Sequence, residues 1–391
     1  MRQLLSIQEL KSLSSMQIEK LQNARFHAVA KNLLPHTKFY SNLFKEHGVD
    51  PNKLKKVEDW QKQGLPLIKK FYYMQHVEDF VVKPDHPFKT YWQYLRDLSI
   101  SEALTFTLSS MNKHALSSRL HYFFHPKMPL FSGGTQSGRP TPTFITHPQL
   151  RNLHDVMSIA VQLMSKDFNM PTTGMNLFPY GPHLAWHAVQ TAFNIGVELN
   201  LATAAGNAMK TETLVELADQ FKANVFAGMS VYMANKFLPM LIKKKVKLKE
   251  KAVFINGSEK MTYQDKLKLT KLAEKVGIKD VLVLDFYGAS ELKEGIMPEC
   301  CPRSGFHNIA PLSNIIKTVK IKDMPPGDKM ITDWEFSDSG AAVIWNIGGA
   351  GTVLGGYLIG DKYEKIVKGK CPNCGLNTER IFGVDRLELK K

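Results

Sequence analysis

Residues 131–144 read FSGGTQSGRPTPTF, with three glycines, one arginine and two prolines. Gly133, Gly134 and Gly138 let backbone N–H groups approach a ligand closely enough to form an anion-binding nest. Ser132, Thr135 and Ser137 add hydroxyl donors, and Arg139 adds a charge that is present at every physiological pH. The chemistry this favours is the grip of a phosphate. It is not a Walker-type loop, because Gly138 is followed by Arg-Pro-Thr-Pro and a residue before proline is pushed away from helical geometry. Nor is GTQSG a nucleophile elbow, since its serine stands one residue late.

Three short polar turns offer partners for that loop. MSVY (229–232), GSEK (257–260) and YGASE (287–291) each follow an apolar run. In the last, Tyr287 can stack on a base, Gly288 permits close approach and Glu291 can hold Mg²⁺ beside phosphates. A separate constellation lies downstream. All four cysteines fall in ECCPRSGFH (299–307) and CPNCG (371–375). The C-x2-C knuckle of Cys371 and Cys374 supplies half of a tetrahedral zinc site, and a cysteine of the 300/301 pair with His307 can complete it.

The elements that must position these residues are legible as patterns. Through residue 125 the chain shows amphipathic helical spacing broken by Pro35, Pro51, Pro66 and Pro84, a helical lead-in. From about residue 195, short apolar runs alternate with helical spacing: VELNLAT (197–203), NVFAG (224–228), AVFIN (252–256) and VLVLDF (281–286) read as strands. Between them, Leu214, Leu217, Ala218 and Phe221 follow a capping box at Thr213 and Glu216, and Leu269, Leu272, Ala273 and Val276 follow Thr262. The alternation predicts an α/β fold built on a largely parallel sheet. Such sheets bind ligands beyond the carboxyl ends of their strands, which is where the three polar turns fall.

These residues and their order resemble the adenylate-forming (acyl-activating) enzymes, nearest the branch of the phenylacetate–CoA ligases and coenzyme F390 synthetases, with the acyl-protein synthetases of bioluminescent bacteria as cousins. HTKFYSNLFKEHGVDPNKLKKVEDW (36–60) is similar to that branch's N-terminal lead, SGGTQSGRPT (132–141) to its phosphate loop, and NLFPYGPHLAWHAVQTAFNIGVELNLATAAG (176–206) to its acyl-pocket region. NGSE (256–259), DFYGASE (285–291) and IGD (359–361) are similar to its adenine, Tyr-Gly-x-Ser/Thr-Glu and ribose segments. The resemblance implies stacked, mostly parallel sheets flanked by helices. It implies that Ser132 to Arg139 grip the β- and γ-phosphates of ATP, that Gly257, Ser258, Glu259, Asp285, Phe286, Tyr287 and Gly288 frame adenine, and that Asp361 holds the ribose. Ser290, Glu291 and Arg139 would then act on the phosphates, Glu291 with Mg²⁺. The branch's Cys/His spacing favours Cys300, His307, Cys371 and Cys374 as zinc ligands, with Cys301 as the alternative.

The activity so implied is that of an AMP-forming acid–thiol ligase: a carboxylic acid, aryl or fatty, is joined to AMP and passed to coenzyme A or another thiol. Two departures stand out. The phosphate loop either has one residue more between Gly134 and Gly138 than the usual spacing or carries Thr135 in place of a glycine, and the family's Gly-Arg-x-Asp-Asp hinge is present only as GVDRLELKK (383–391), where the C-terminal domain of the family would follow. They leave open a catalytically silent nucleotide-binding relative, or an acyl-protein synthetase using its own cysteine. Phe178, Tyr180, Trp186 and Tyr232 suggest a flat or apolar acyl group, and His183 and His187 read as pocket wall rather than metal pair.

The organisation expected is a helical lead-in and first subdomain (1–125), a nucleotide- and acyl-binding core (126–290), a β-rich subdomain with zinc (291–382) and a hinge remnant (383–391). A formal net charge of +15 raises nucleic acid as a partner, but the densest basic run, KKKVKLKEK (243–251), has no interleaved aromatics and reads as a solvated loop. The first twenty residues lack the apolar core of a signal peptide, and no run is long enough to span a bilayer, so a cytoplasmic protein without a membrane partner is expected.

Overall fold

Two serines launch the chain. Ser6 and Ser14 each accept the N3 amide of a following helix while Glu9 and Gln17 reach back to the cap N–H, so paired capping boxes start α1 (Ile7–Ser12) and α2 (Ser15–Asn32). The computed structural model describes residues 4–132, 140–164 and 170–388. Helices α3 (Lys38–Glu46), α4 (Val57–Lys62), α5 (Lys70–Gln75), α6 (Pro87–Leu98), α7 (Ile100–Ser109) and α8 (Lys113–Phe124) complete the lead-in, and no strand precedes Pro126 among the described residues.

A hairpin of β1 (Pro126–Phe131) and β2 (Pro142–Thr146) brackets the glycine-rich loop. After α9 (His147–Met164) comes a six-stranded sheet in the order β4-β3-β5-β6-β7-β8, made from β3 (Thr173–Asn176), β4 (Leu199–Asn200), β5 (Val225–Gly228), β6 (Lys251–Asn256), β7 (Asp280–Tyr287) and β8 (Met297–Pro298). All pairs but the last are parallel. Helices α10 (Leu184–Gly196), α11 (Thr211–Gln220), α12 (Ser230–Tyr232), α13 (Leu238–Lys243) and α14 (Tyr263–Lys275) connect the strands, with a π-helical turn at Met233–Phe237 between α12 and α13. The α/β architecture expected from the strand–helix alternation is present. Thr262 caps α14 in a capping box with Asp265, as its position predicts.

Two local expectations change. The run 197–203 pairs only through Leu199 and Asn200, because it is the sheet's edge and Ala202 turns out of extended geometry at φ 48°. Helix α11 starts at Thr211 with Lys210 as its cap and no side-chain cap bond, so Thr213 and Glu216 lie inside the helix rather than at its mouth.

A second sheet, order β11-β10-β12-β13-β16, is antiparallel: β10 (Asn314–Ile321), β11 (Trp334–Ser337), β12 (Gly340–Asn346), β13 (Gly355–Tyr363) and β16 (Asp385–Arg386). It shares one core with the lead-in helices. Trp60 packs edge-on against Trp345 at 6.4 Å, and Tyr40 donates to the Gly355 carbonyl at 3.0 Å. The chain at Ile68 runs beside β13, bonded in both directions to Gly356 and Leu358, which sets the start of α5 against the edge of the site. A third, three-stranded sheet joins β9 (Phe306–His307), β15 (Arg380–Phe382) and β14 (Lys365–Val367). Among the described residues, no helix is long and apolar enough to cross a membrane.

Candidate active site

Parallel register places the carboxyl ends of the central strands side by side, with Gly228 opposite Asn256 and Asn256 opposite Asp285. Beyond them opens a cleft of about 650 Å³, in the range of small-molecule sites. Ser132, Ser258, Glu259, Asp285, Phe286, Tyr287, Gly288, Ser290, Glu291 and Asp361 all line it. These residues come from separate segments, and the structure brings them to one cavity. Gly133, Gly134, Thr135, Ser137, Gly138 and Arg139 lie outside the described residues. Ser132 at the loop's entrance is buried, its hydroxyl accepting the Thr141 N–H at 3.2 Å.

The turn after β6 is set by its neighbours. A Cβ at Gly257 would meet the Phe286 ring at 2.4 Å, so only glycine fits there, and Ser258 takes the left-handed conformation at φ 67°. Asn256 organises the corner. Its amide donates to Asp285 at 2.9 Å and to the Glu259 carbonyl at 3.1 Å, while its carbonyl accepts the Ser230 N–H at 2.8 Å. The Glu259 carboxylate accepts from the Ser230 hydroxyl and the Val231 N–H, both at 2.7 Å, tying this turn to the start of α12. Asp285 is nearly sealed from water. Burial, reinforced by the nearby Glu299 carboxylate, pushes its pKa up to about 8, against the opposing pull of Asn256 and Lys266. Glu299 is itself ion-paired with Lys266 and accepts the Asp285 N–H at 3.0 Å.

Glu291 sits in a different environment. One carboxylate oxygen accepts from Tyr357 at 3.1 Å and pairs with Lys70 at 3.2 Å; the other accepts from Ser290 at 2.9 Å. Burial raises its pKa, but the Lys70 charge and the hydrogen bonds outweigh that and hold it below the usual carboxylate range. Asp361, on β13, accepts from Tyr287 at 2.8 Å and from Arg386 at 2.8 Å, and Tyr363 donates to the Tyr287 hydroxyl at 2.9 Å. Here burial wins over Arg386, and the Asp361 carboxyl is raised.

Lys70, Tyr357, Tyr363, Asn256 and Arg386 thus join the residues expected from sequence. Lys70 had no local signal: it stands at the start of a short helix, far along the chain from Glu291. Of the aromatics expected at the acyl site, Phe178 and Trp186 line the cleft with His183. Tyr180 is 67% exposed, edge-on to Trp186, and Tyr232 bonds Thr211 at 3.0 Å without lining the cleft.

Below the cleft, the ligand atoms of Cys300, His307, Cys371 and Cys374 lie within 4.8 Å of one another. Cys300 and Cys371 sulfurs are 3.9 Å apart, and the Cys374 sulfur is 3.8 Å from His307 Nε2. Donors bound at about 2.0 to 2.3 Å to a tetrahedral ion stand at nearly these separations, so the four residues can hold zinc. Cys301 stays outside the set, its sulfur 3.9 Å from that of Cys300. The cluster links the β8–β9 segment to the knuckle before β15, and Phe306 and Phe382, one from each side, line the cleft.

No sequence-family model and no curated protein matches the chain. Solved structures do. An open conformation of 2-hydroxyisobutyryl-CoA ligase in complex with 2-HIB-AMP and CoA aligns over 96% of this chain and 75% of its own, with TM-score 0.66 and 16% identity. The thioesterification state of the same ligase aligns over 97% of this chain and 70% of its own, again at 0.66 and 16%. A long-chain-fatty-acid-CoA ligase from Archaeoglobus fulgidus aligns at 0.44 and 12% over 97% and 79%, too loosely to rest anything on. The chain therefore has the fold of the N-terminal part of adenylate-forming enzymes.

Proposed function

We propose that this chain activates a carboxylic acid with ATP, releasing pyrophosphate, and transfers the acyl group to coenzyme A or another thiol. The observation that carries the reading is the meeting of the β6 and β7 turns, Glu291 with Lys70, and Asp361 with Tyr287 in one cleft at the carboxyl edge of the sheet. A substrate carboxylate oxygen attacks the α-phosphorus, the bond from that phosphorus to the bridging oxygen breaks, and pyrophosphate departs with the electron pair. The thiol, losing its proton to solvent, then adds to the acyl carbon, and the bond from that carbon to the AMP oxygen breaks with AMP taking the electron pair. Such a reaction asks the protein for positioning and charge neutralisation.

In this reading adenine lies against Phe286 and Tyr287, and the ribose hydroxyls donate to lone pairs that Asp361 keeps after its two protein bonds. The loop from Ser132 to Arg139 grips the outer phosphates. Lys70 faces the α-phosphate with Ser290. Glu291, a buried oxygen donor kept ionised, would hold Mg²⁺ together with phosphate oxygens, and the ion would supply charge neutralisation. Exchange of labelled pyrophosphate into ATP, dependent on an added acid, is the expected activity. A broad panel of aryl and aliphatic acids with no exchange would instead mark a nucleotide-binding relative without catalysis.

We further infer that Cys300, His307, Cys371 and Cys374 hold a structural zinc, the feature that also favours the phenylacetate–CoA ligase branch. Protein purified without chelators should carry about one zinc per chain. Cys371→Ser should lower both zinc content and melting temperature, and Cys301→Ser neither; full zinc retention in Cys371→Ser would remove the assignment.

A further inference from the structure

Helix α7 turns an apolar face to solvent. Ala103 and Phe106 seat it on the core, and on its outer side Ile100, Leu104, Leu108 and, just past its end, Met111 form one stripe at helical spacing. These four are 69%, 58%, 71% and 87% exposed. The other exposed residues of the helix, Ser101, Thr105, Thr107 and Ser109, are uncharged, and its one charged residue, Glu102, is half-buried. A large apolar side chain exposed singly needs no explanation, but four in a row mark a contact surface. No residue of α7 lines the cleft, so this surface stands apart from the adenylation reading.

Cations ring the stripe. On one flank Trp92 of α6 donates its indole N–H to Thr107 at 3.1 Å, and the Arg96 guanidinium lies 5.2 Å from that ring. On the other flank Arg119 of α8 donates to Ser109 at 3.2 Å. Lys113 follows Met111 by two residues, exposed and without an ion-pair partner among the described residues. The acids of these three helices are Glu102 and Asp97, and Asp97 is already paired with Lys31 at 2.9 Å and Arg96 at 3.2 Å. A second protein fits this surface poorly, because a stable protein interface takes about 20 to 30 residues a side. A lipid surface makes no such demand: a few apolar side chains enter the boundary between headgroups and acyl chains, cations around them meet anionic headgroups, and a tryptophan with one wet end suits that depth. We propose that α7 docks this chain on an anionic lipid surface, with Ile100, Leu104, Leu108 and Met111 entering the acyl boundary and Arg96, Lys113 and Arg119 meeting lipid phosphates. No spanning segment is needed. At ten residues α7 is about 15 Å long, half the thickness of a hydrocarbon core, and lies along the surface.

The test sediments the full chain with vesicles of phosphatidylcholine, and with vesicles in which about three lipids in ten are phosphatidylglycerol. Expected is capture by the anionic vesicles, weakened in about 0.5 M salt as the charges are screened, and little capture by phosphatidylcholine alone. A double variant, Leu104→Ser with Leu108→Ser, should bind the anionic vesicles about tenfold more weakly or worse, since each leucine loses its transfer out of water. It should melt with the wild type, because both positions are exposed. Lys113→Gln should weaken binding about fivefold, the worth of one cation at such a surface, and serves if the double variant fails to fold. No capture of the wild type, equal capture with and without phosphatidylglycerol, or equal capture of the variants and the wild type overturns the proposal. Sedimentation velocity without lipid covers the remaining occupant: a wild-type dimer that the double variant dissociates gives the stripe to a second copy of the chain and removes the lipid surface.

Discussion

Asp285 and Glu291 stand six positions apart in the sequence and line one cleft, yet the fold sets them in opposite charge regimes. Asp285 is buried beside another carboxylate and its pKa rises to about 8, whereas Glu291, buried more deeply, is held ionised by Lys70. Depth of burial is therefore not what distinguishes them. Burial raises both carboxyls; at Glu291 the directly paired Lys70 ammonium and the hydrogen bonds outweigh it, whereas at Asp285 the pull of Asn256 and Lys266 does not, and Glu299 adds to the rise. One corner can meet a neutral base without repelling it. In the proposed reading, the other keeps a full negative charge where a divalent cation would bind.

The contrast breaks most severely at Glu291. Glu291→Gln keeps the shape but removes the charge, and adenylation should fall by about a hundredfold, several kcal/mol of metal-assisted stabilisation being at stake; near-normal exchange would take Glu291 out of the chemistry. Lys70→Met attacks the same corner from the other side. It leaves a buried carboxylate without its cation, and urea unfolding should record a loss of about 3 kcal/mol, the usual penalty for orphaning one member of a buried pair. Equal stability of variant and wild type would mean that Tyr357 and Ser290 alone keep Glu291 comfortable.

The smallest effect, and the one that sharpens the comparison, is in the pH dependence. A carboxyl whose folded pKa is raised binds its proton more tightly when folded, so its contribution to stability declines as pH rises from about 4 towards the folded value of about 8. Asp285→Asn should remove that decline: plotted against pH, the melting temperature of the wild type relative to the variant should fall across this window. Glu291 works with the opposite sign. Its folded pKa is depressed, so what it contributes is present at neutral pH and is lost on acidification through the carboxylate range. A wild-type-minus-Asp285→Asn difference that stays level from pH 4 to 8 would show that Asp285 remains ionised throughout.

How much of this was legible beforehand can be followed residue by residue. The strands 225–228, 251–256 and 280–287 announce themselves as apolar runs, and the polar turns after them follow because parallel strands end together at one edge. Thr262 is visible as a cap because its partner, Asp265, lies one helical turn away. The knuckle at Cys371 and Cys374 is equally local. At the edge of the sheet, where Leu199 and Asn200 alone pair, the apolar run overstated the strand because, among the described residues, no strand lies beyond it to continue the ladder.

What sequence by itself determined, then, is what rests on neighbours within a turn or a strand: the α/β alternation, the polar turns after β6 and β7, the candidate zinc ligands and the glycine-rich loop. Tertiary structure alone decided which distant groups complete those pieces. Lys70 reaches Glu291 because residues beside Ile68 run along β13; Tyr287 meets Asp361 across two sheets; and the apolar space beside Phe286 is lined jointly by α9, α10 and the parallel sheet. No short window of sequence contains both members of such a contact. Their charge states follow the same rule, since the field at Asp285 or Glu291 is set by whichever side chains the packing brings within a few ångströms.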